Sequence, residues 1–400
     1  MVNILGINLS ALSRQEVEHQ VGEFLSDDQQ HYIVTPNPEI ILKSHKDEEF
    51  FYILNHANMS LADGFGIRLA GMIIGKKIPR QTGADMALDL LLLAQEQGLK
   101  VAVLNREGGL SQQTAIKDAL SRQYPNLEAL VIDRHRTRPL SRETLDQINA
   151  FAPTLFFSTY GAPYQEKVIY HNLKKMPSVR IAIGVGGAFD FLTGKVKRAP
   201  KSMRYIGLEW LWRLAQQPKR IKRIYNATVI FTAVLVRSRL NHLFYRPNVA
   251  CFLFKRDGDA IKVLIVERED DPRHWQLPQG GTDGESLTKA GARELREELN
   301  TDKFIAKATF KKTYSYLFPP VSQQSPLSLS RRYIFDYKGQ RQGLFIAEFI
   351  GRDEDIKVNF WDHSHWRWVD IHDLVASVHP RRREAAQIFI AKFNSLKIVA

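Results

Sequence analysis

Ile181-Ala182-Ile183-Gly184-Val185-Gly186-Gly187-Ala188-Phe189-Asp190 is an apolar run that gives way to glycines and ends on an acid. A short apolar run bounded by glycine reads as a buried strand, and the glycines after it let backbone come close to a ligand. Upstream the same design recurs. Apolar runs at Tyr32 to Val34, Val101 to Leu104, Leu130 to Ile132 and Leu155 to Phe157 alternate with helical patterns. Residues 13 to 25 place Val17, Val21, Phe24 and Leu25 on one helical face behind a capping box of Ser13 and Glu16. Thr82 to Gln97 reads as a second helix, with Asp85 in its first turn and Gly98 as its stop. Strands alternating with helices predict an α/β fold, a Rossmann-like parallel sheet covered by helices on both faces.

Ligands of such sheets sit at the carboxyl ends of strands, so polar residues that directly follow strands are the candidates. Besides the opening segment they are Thr35-Pro36-Asn37-Pro38-Glu39, Ala62-Asp63-Gly64-Phe65-Gly66 and Tyr160-Gly161-Ala162-Pro163-Tyr164-Gln165-Glu166. A plain structural reading stands beside each functional one. Asp63 suits a turn that hydrogen-bonds its own backbone as well as it suits a general base. Gln165-Glu166 suits the first turn of a helix, where the dipole favours an acid.

At 400 residues the chain exceeds one ordinary core, so two domains are expected. A composition of 44% hydrophobic and 25% charged residues argues against a mostly disordered chain. The single cysteine, Cys251, excludes an internal disulfide, and Met1 to Gly6 lacks the basic-then-apolar design of a secretory signal. The expected location is the cytoplasm. No membrane-spanning helix is expected, because the longest apolar stretch, Ile224 to Val236, falls short of the ~20 residues required.

The net charge of +13 is concentrated, with thirteen Lys or Arg between Lys195 and Arg246 against Glu209 alone. Nucleotide phosphates, anionic lipid and nucleic acid are the partners such a segment fits, and a merely solvated face is the bland alternative. Lys219, Arg220, Lys222 and Arg223 before the apolar stretch, with Arg237 and Arg239 after it, suit an interfacial helix on the inner face of the cell membrane. A buried inter-domain helix is the other reading, with Val229, Ile230, Ala233 and Val234 as its stripe.

After Arg246-Pro247 the pattern changes to strands at Cys251 to Phe254 and Val263 to Val266, one charged helix, further strands and a final helix from about Arg381. This predicts a mixed α+β domain with a Pro/Ser/Gln-rich loop at Pro319 to Ser330. Within it, Arg273-His274-Trp275-Gln276-Leu277-Pro278-Gln279-Gly280-Gly281 leads to Glu285 and then to Arg293-Glu294-Leu295-Arg296-Glu297-Glu298. On a helix Glu294, Glu297 and Glu298 share one face at i, i+3 and i+4. Unshielded they would repel, so a hard divalent cation, Mg2+ or Mn2+, is the expected cofactor.

With Arg198-Ala199-Pro200 and Gly207-Leu208-Glu209-Trp210-Leu211-Trp212-Arg213-Leu214, the N-terminal segments in their order resemble the TagA/WecG/CpsF glycosyltransferase family across about residues 1 to 225. The resemblance implies inverting transfer of N-acetylmannosamine, or its uronic acid, from UDP to a polyprenyl-diphosphate-linked N-acetylglucosamine in cell-surface polysaccharide synthesis. It makes Asp63 the candidate general base, with Thr35, Asn37 and Gln165 positioning donor or acceptor. A departing diphosphate needs cations or backbone N–H groups, and Arg198, Arg204, Arg213 and Arg220 are the expected cations. No Asp-x-Asp triplet precedes residue 247, so no metal is expected in this domain. One departure leaves donor specificity open: Asn105-Arg106-Glu107 stands where the family usually has a Gly-rich turn.

The C-terminal motif resembles the Nudix box, with Gly280, Gly281, Glu285 and Arg293 at its positions, and residues 247 to 400 resemble the RNA-pyrophosphohydrolase and dinucleoside-polyphosphate branch through Trp275 to Gly281 and Trp366-Arg367-Trp368-Val369. The resemblance implies Glu294, Glu297 and Glu298 as metal ligands, Glu297 as catalytic, and Asp362 as a further carboxylate unless it is an ordinary loop Asp. The loop from Gly281 to Glu285 is one residue short, and Asn300 replaces the usual Gly, a change that left-handed backbone tolerates. The implied substrate is a nucleoside polyphosphate or an RNA 5′ end. The expected layout is 1–199 as transferase core, 200–246 as basic appendage and 247–400 as the Nudix domain. Two rival readings stay open: a transferase regulated by a weakly active nucleotide-sensing Nudix module, and an RNA hydrolase with a degenerate transferase and an RNA-binding basic stripe.

Overall fold

The computed structural model describes residues 1–79, 81–200, 203, 209–216, 218, 221–241, 243–317 and 337–396, with backbone alone at Glu209, Trp210, Arg213, Lys222 and Arg239. It divides into two compact units, Met1–Val236 and Arg237–Ala400.

The first unit opens with a hairpin of β1 (Val2–Ile4) and β2 (Ile7–Leu9). Its centre is a sheet of β3 (His31–Val34), β4 (Met59–Ser60), β5 (Val101–Arg106), β6 (Ala129–Arg134), β7 (Leu155–Ser158) and β8 (Ile181–Gly184). The strand order is β4-β3-β8-β7-β5-β6, and every pairing is parallel. Parallel strands need both faces covered, and β3, β7 and β8 are buried at every position. The apolar runs announced five of these strands. The two-residue β4 was not legible, because Met59-Ser60 is too short to show a period.

Helix Arg14–Ser26 starts as expected, with the Ser13 hydroxyl accepting from Glu16 N and the Glu16 carboxylate accepting from Ser13 N. Thr82 caps Gly83–Gln97, which ends on Gly98 at φ 65°, a left-handed turn that glycine takes without strain. Both helices pack onto the sheet through Val21, Phe24, Leu90 and Leu91, which meet Val103, Phe157 and Ile183 in one core.

Three helical segments follow: Ile221–Tyr225, a π-helical turn at Asn226–Ile230, and Phe231–Asn241. The stripe expected at Val229, Ile230, Ala233 and Val234 does not form. Val229 is 51% exposed and Ile230 37%, while Phe231 and Leu235 are buried. The reason is the π-turn, which takes up an extra residue and rotates the register of the inward face. Among the described residues no helix is long and apolar enough to cross a membrane.

The second unit is a mixed sheet of β9 (Tyr245–Asp257), β10 (Ala260–Arg268), β11 (Trp275–Gln276), β12 (Gln279–Gly281), β13 (Phe304–Leu317), β14 (Gly339–Phe349) and β15 (His363–Asp370). At its centre β9 pairs parallel with β14 and antiparallel with β10. Alternate residues of β9 point to opposite faces. Val249, Cys251 and Leu253 meet Leu295 and Leu299 of helix Leu287–Leu299, whereas Ala250, Phe252 and Phe254 meet Phe389 and Phe393 of helix Arg383–Asn394. Asn300 caps the first of these helices in left-handed backbone at φ 52°, as its replacement of glycine predicted. The loop expected at Pro319 to Ser330 lies outside the described residues.

Candidate functional site

In the first unit the carboxyl ends of all six parallel strands open into one cavity of about 890 Å³, within the ~300–1,000 Å³ usual for small-molecule sites. Thr35, Asn37, Asp63 and Gln165 all line it. Asn37 caps helix Pro38–Ser44 with its Oδ1 accepting from Ile40 N at 3.0 Å. Asp63 is half-buried, and its N–H donates to Pro36 O at 3.0 Å, tying the turn after β4 to the turn after β3. Gln165 is 3% exposed at the start of helix Tyr164–Asn172.

The Asn105-Arg106 departure now has a physical account. Asn105 is buried and structural: its Nδ2 donates to Ser111 O at 2.9 Å and Asp133 Oδ1 at 2.7 Å, and its Oδ1 accepts from Thr159 Oγ1 at 2.7 Å. Ser111 Oγ in turn donates to Asp190 Oδ1 at 2.7 Å. This network joins the turns after β5, β6, β7 and β8, and leaves Arg106 exposed on the cavity wall.

The expected cations are placed differently. Arg198 does not line the cavity, because Asp85 holds its guanidinium over the Phe191 ring, 5.8 Å from the centroid. Arg204 and Arg220 lie outside the described residues, as does the side chain of Arg213. The cations that do line the cavity among the described residues are Lys43, Arg106, Arg136 and Arg223. Lys43 and Arg223 converge on Glu39 at 3.0 and 2.7 Å. Burial opposes the Glu39 charge, but Arg223 and Lys43 hold its carboxyl below the usual range. Among the described residues Arg106 and Arg136 have no carboxylate partner, and Arg136 lies 4.9 Å over the Tyr164 ring. Arg223, Ile224, Ala227, Thr228 and Thr232 show that the basic segment is in part a wall of the cavity. Neither the interfacial-helix nor the inter-domain reading included this, although nucleotide phosphates were among the partners expected for the basic segment.

In the second unit the acidic helix face is organised by Arg293. Its guanidinium donates to Glu285 at 2.9 Å, Glu294 at 2.7 Å, Glu297 at 2.8 Å and Gly281 O at 2.7 Å. Burial disfavours its charge, yet the hydrogen bond to Glu285 and the charges of Glu294 and Glu297 keep it protonated. The expected repulsion is therefore relieved in part by an arginine. Glu294 and Glu298 are buried and Glu297 is exposed. Glu298 Oε2 accepts from Gln279 N at 3.1 Å and lies 3.1 Å from His363 Nε2. Asn359 donates to both Glu297 O and Asp362 Oδ2, at 3.0 and 3.2 Å, which brings Asp362 to the end of the glutamate helix. Buried carboxylate oxygens suit a hard cation. Among the described residues no three acidic, His or Cys side chains are gathered at ion-holding spacing, because Arg293 draws Glu294 and Glu297 to itself.

Residues 2–244 match the glycosyl transferase WecG/TagA/CpsF family, and residues 244–393 match the NUDIX domain. The chain belongs to the WecG/TagA/CpsF family and carries a Nudix domain. It is 30% identical over 224 residues to the N-acetylglucosaminyldiphosphoundecaprenol N-acetyl-beta-D-mannosaminyltransferase of Bacillus spizizenii, covering 56% of this chain and 86% of that protein. It is 38% identical over 156 residues to the RNA pyrophosphohydrolase of Wolbachia pipientis subsp. Culex pipiens, covering 38% of this chain and 91% of that protein. A glycosyltransferase domain is thus fused to a Nudix hydrolase domain, and both are enzymatic.

In the family domain the cavity residues missed by sequence reading are Arg136 and Lys43, whereas Glu39 stood in the first candidate segment; in the Nudix domain the missed residue is His363. Their only signal is position: Arg136 lies just past β6, His363 beside Asp362, and Lys43 one helical turn after Glu39. Gly280 was read as a loop residue, and its need for glycine comes from packing: a Cβ there would lie 1.9 Å from Glu294 Oε2. Gly280→Ala should therefore displace Glu294 and lower nucleotide hydrolysis at least tenfold, measured by phosphate release. Wild-type hydrolysis in that variant would show that Glu294 is not needed where it stands.

Proposed function

We propose that the first unit transfers N-acetylmannosamine, or its uronic acid, with inversion from UDP to a polyprenyl-diphosphate-linked N-acetylglucosamine in cell-surface polysaccharide synthesis. Residues 1–199 form its core, 200–246 its basic appendage and 247–400 the Nudix domain. The observation that carries this reading is the convergence of Thr35, Asn37, Asp63 and Gln165 on one cavity at the strand carboxyl ends. Asp63 accepts the proton of the attacking acceptor hydroxyl, Asn37 orients the reacting sugars, and Gln165 positions them through the turns it contacts.

Strand order supports a direction for the donor. Asp63 follows β4 and Arg106 ends β5, four strands away, or about 19 Å at ~4.8 Å per strand. The transferred sugar belongs at Asp63, and the nucleotide extends toward Arg106 and Arg136, whose charges no carboxylate among the described residues answers. Arg223 and Lys43, already held by Glu39, shape the acceptor side. Fixed cations and backbone N–H groups of the glycine turns stabilise the departing diphosphate.

For the Nudix domain we propose hydrolysis of a diphosphate bond in a nucleoside polyphosphate or an RNA 5′ end. Glu294, Glu297, Glu298 and Asp362 would hold Mg2+ or Mn2+, which supplies polarisation of phosphoryl oxygens and a more acidic water. Arg293 orients Glu294 and Glu297, and Glu298 is steadied by Gln279 N. The protein works in the cytoplasm, with the basic appendage resting on the anionic inner face of the membrane where the lipid-linked acceptor resides.

Asp63→Asn should lower the transfer rate by about 10²–10⁴-fold, with hydrolysis unchanged, because an amide cannot take the hydroxyl proton. Near wild-type turnover of UDP-N-acetylmannosamine with lipid-linked acceptor would remove Asp63 from that role. Chelation should divide the two activities: EDTA or Glu297→Gln abolishes nucleotide hydrolysis and leaves most sugar transfer. If EDTA stopped both reactions, the transferase would need a metal of its own. Replacing Lys219, Arg220 and Lys222 together by Gln should weaken binding to phosphatidylserine vesicles by about 3 kcal/mol, at ~1 per charge. Sedimentation with vesicles that is unchanged by the triple substitution would sink the membrane reading.

A further inference from the structure

Glu166 is a buried carboxyl that the proposed chemistry leaves unused. It is 2% exposed, and among the described residues its Oε2 has no hydrogen-bond partner. Its Oε1 accepts from Gln165 Nε2 at 2.8 Å. The other end of the Gln165 amide is spoken for twice, with Oε1 accepting from Gly161 N at 3.1 Å and Gly186 N at 3.0 Å. Those two glycines belong to the turns after β7 and β8, and both turns line the cavity.

The amide has one orientation that satisfies all three contacts. Turned over, it would aim N–H groups at two backbone N–H donors and a carbonyl oxygen at a carboxyl. Space fixes it further, since a Cβ on Gly184 would lie 2.6 Å from Gln165 Cδ and Nε2, so only glycine lets the amide pass between the strand ends. Gln165 therefore acts on the ligand chiefly through the turns it holds together.

We propose that Glu166 is a positioning residue of the transferase site: its carboxyl sets the Gln165 amide, and that amide holds the Gly161 and Gly186 turns at the separation a nucleotide-diphosphate sugar requires. The inference rests on the transferase reading above.

The protonation of Glu166 enters this device. Burial pushes its carboxyl up to about 7, against the pull of Gln165. Among the described residues the charge felt by Glu166 is that of Lys43, on helix Pro38–Ser44, which is itself engaged by Glu39 and by Ala162 O at 3.3 Å. A bound diphosphate adds negative charge on the cavity side of the Gln165 amide and so favours the protonated form of Glu166. By linkage, donor binding strengthens below pH 7 and weakens as pH rises through it.

The test is calorimetric binding of UDP-N-acetylmannosamine, whose diester phosphates do not titrate in this range, to the full chain at pH 6 and pH 8. Wild type should bind several-fold more weakly at pH 8. Glu166→Gln, which keeps an acceptor oxygen for Gln165 but cannot ionise, should bind as wild type does at pH 6 and show no loss at pH 8. Glu166→Ala, which orphans the Gln165 amide, should bind at least tenfold more weakly at both pH values. If wild type bound no donor, the transferase reading would fail. Donor binding by wild type with the same pH response in Glu166→Gln would overturn the role of Glu166 alone, as would undiminished binding by Glu166→Ala. Should Glu166→Ala not fold, the Glu166→Gln comparison still decides.

Discussion

Parallel strands can be joined only by crossovers that leave from the same end of the sheet, and the helices of those crossovers cover both of its apolar faces. Six strands in the order β4-β3-β8-β7-β5-β6 therefore gather six sets of turn residues at one end of the first unit. Segments as far apart in the chain as Thr35, Asp63, Arg106, Gln165 and Asp190 meet there for that reason alone. The cavity is a consequence of strand direction, and the helices that close it are the ones that protect the sheet from water.

Burying carboxylates is the second constraint, and the two units meet it in different ways. Removing a charge from water is unfavourable unless a partner answers it. In the first unit Glu39 is answered by Lys43 and Arg223, which fastens the appendage helix to the cavity rim. Glu166, with an amide partner only, keeps its proton to higher pH instead. In the second unit one arginine serves three glutamates, and Gln279 N and His363 attend the fourth acid, Glu298. Arg293 thus does two things at once: it offsets part of the repulsion on the acidic helix face, and it holds Glu294 and Glu297 through hydrogen bonds.

Much of this was readable along the chain. Apolar runs and glycine stops announced five of the six parallel strands, the Ser13 and Thr82 caps announced two helices, and the i, i+3, i+4 glutamates announced the acidic face, because each of these is a local pattern within a few residues. Motif residues Thr35, Asn37, Asp63 and Gln165 were legible for the same reason. What the chain could not disclose is which charges face one another across long sequence gaps. Arg198 looked available and is held by Asp85, and Arg223 looked like a membrane contact and is anchored on Glu39, a residue far away in the chain. Arg106 looked like a departure from a pattern and became a cavity cation only because Asn105 beside it is consumed by Ser111, Asp133 and Thr159. Secondary structure follows from neighbours in sequence, so the sequence alone determined it. Partnership among charges follows from neighbours in space, and only the folded sheet and the helices packed on it decided that.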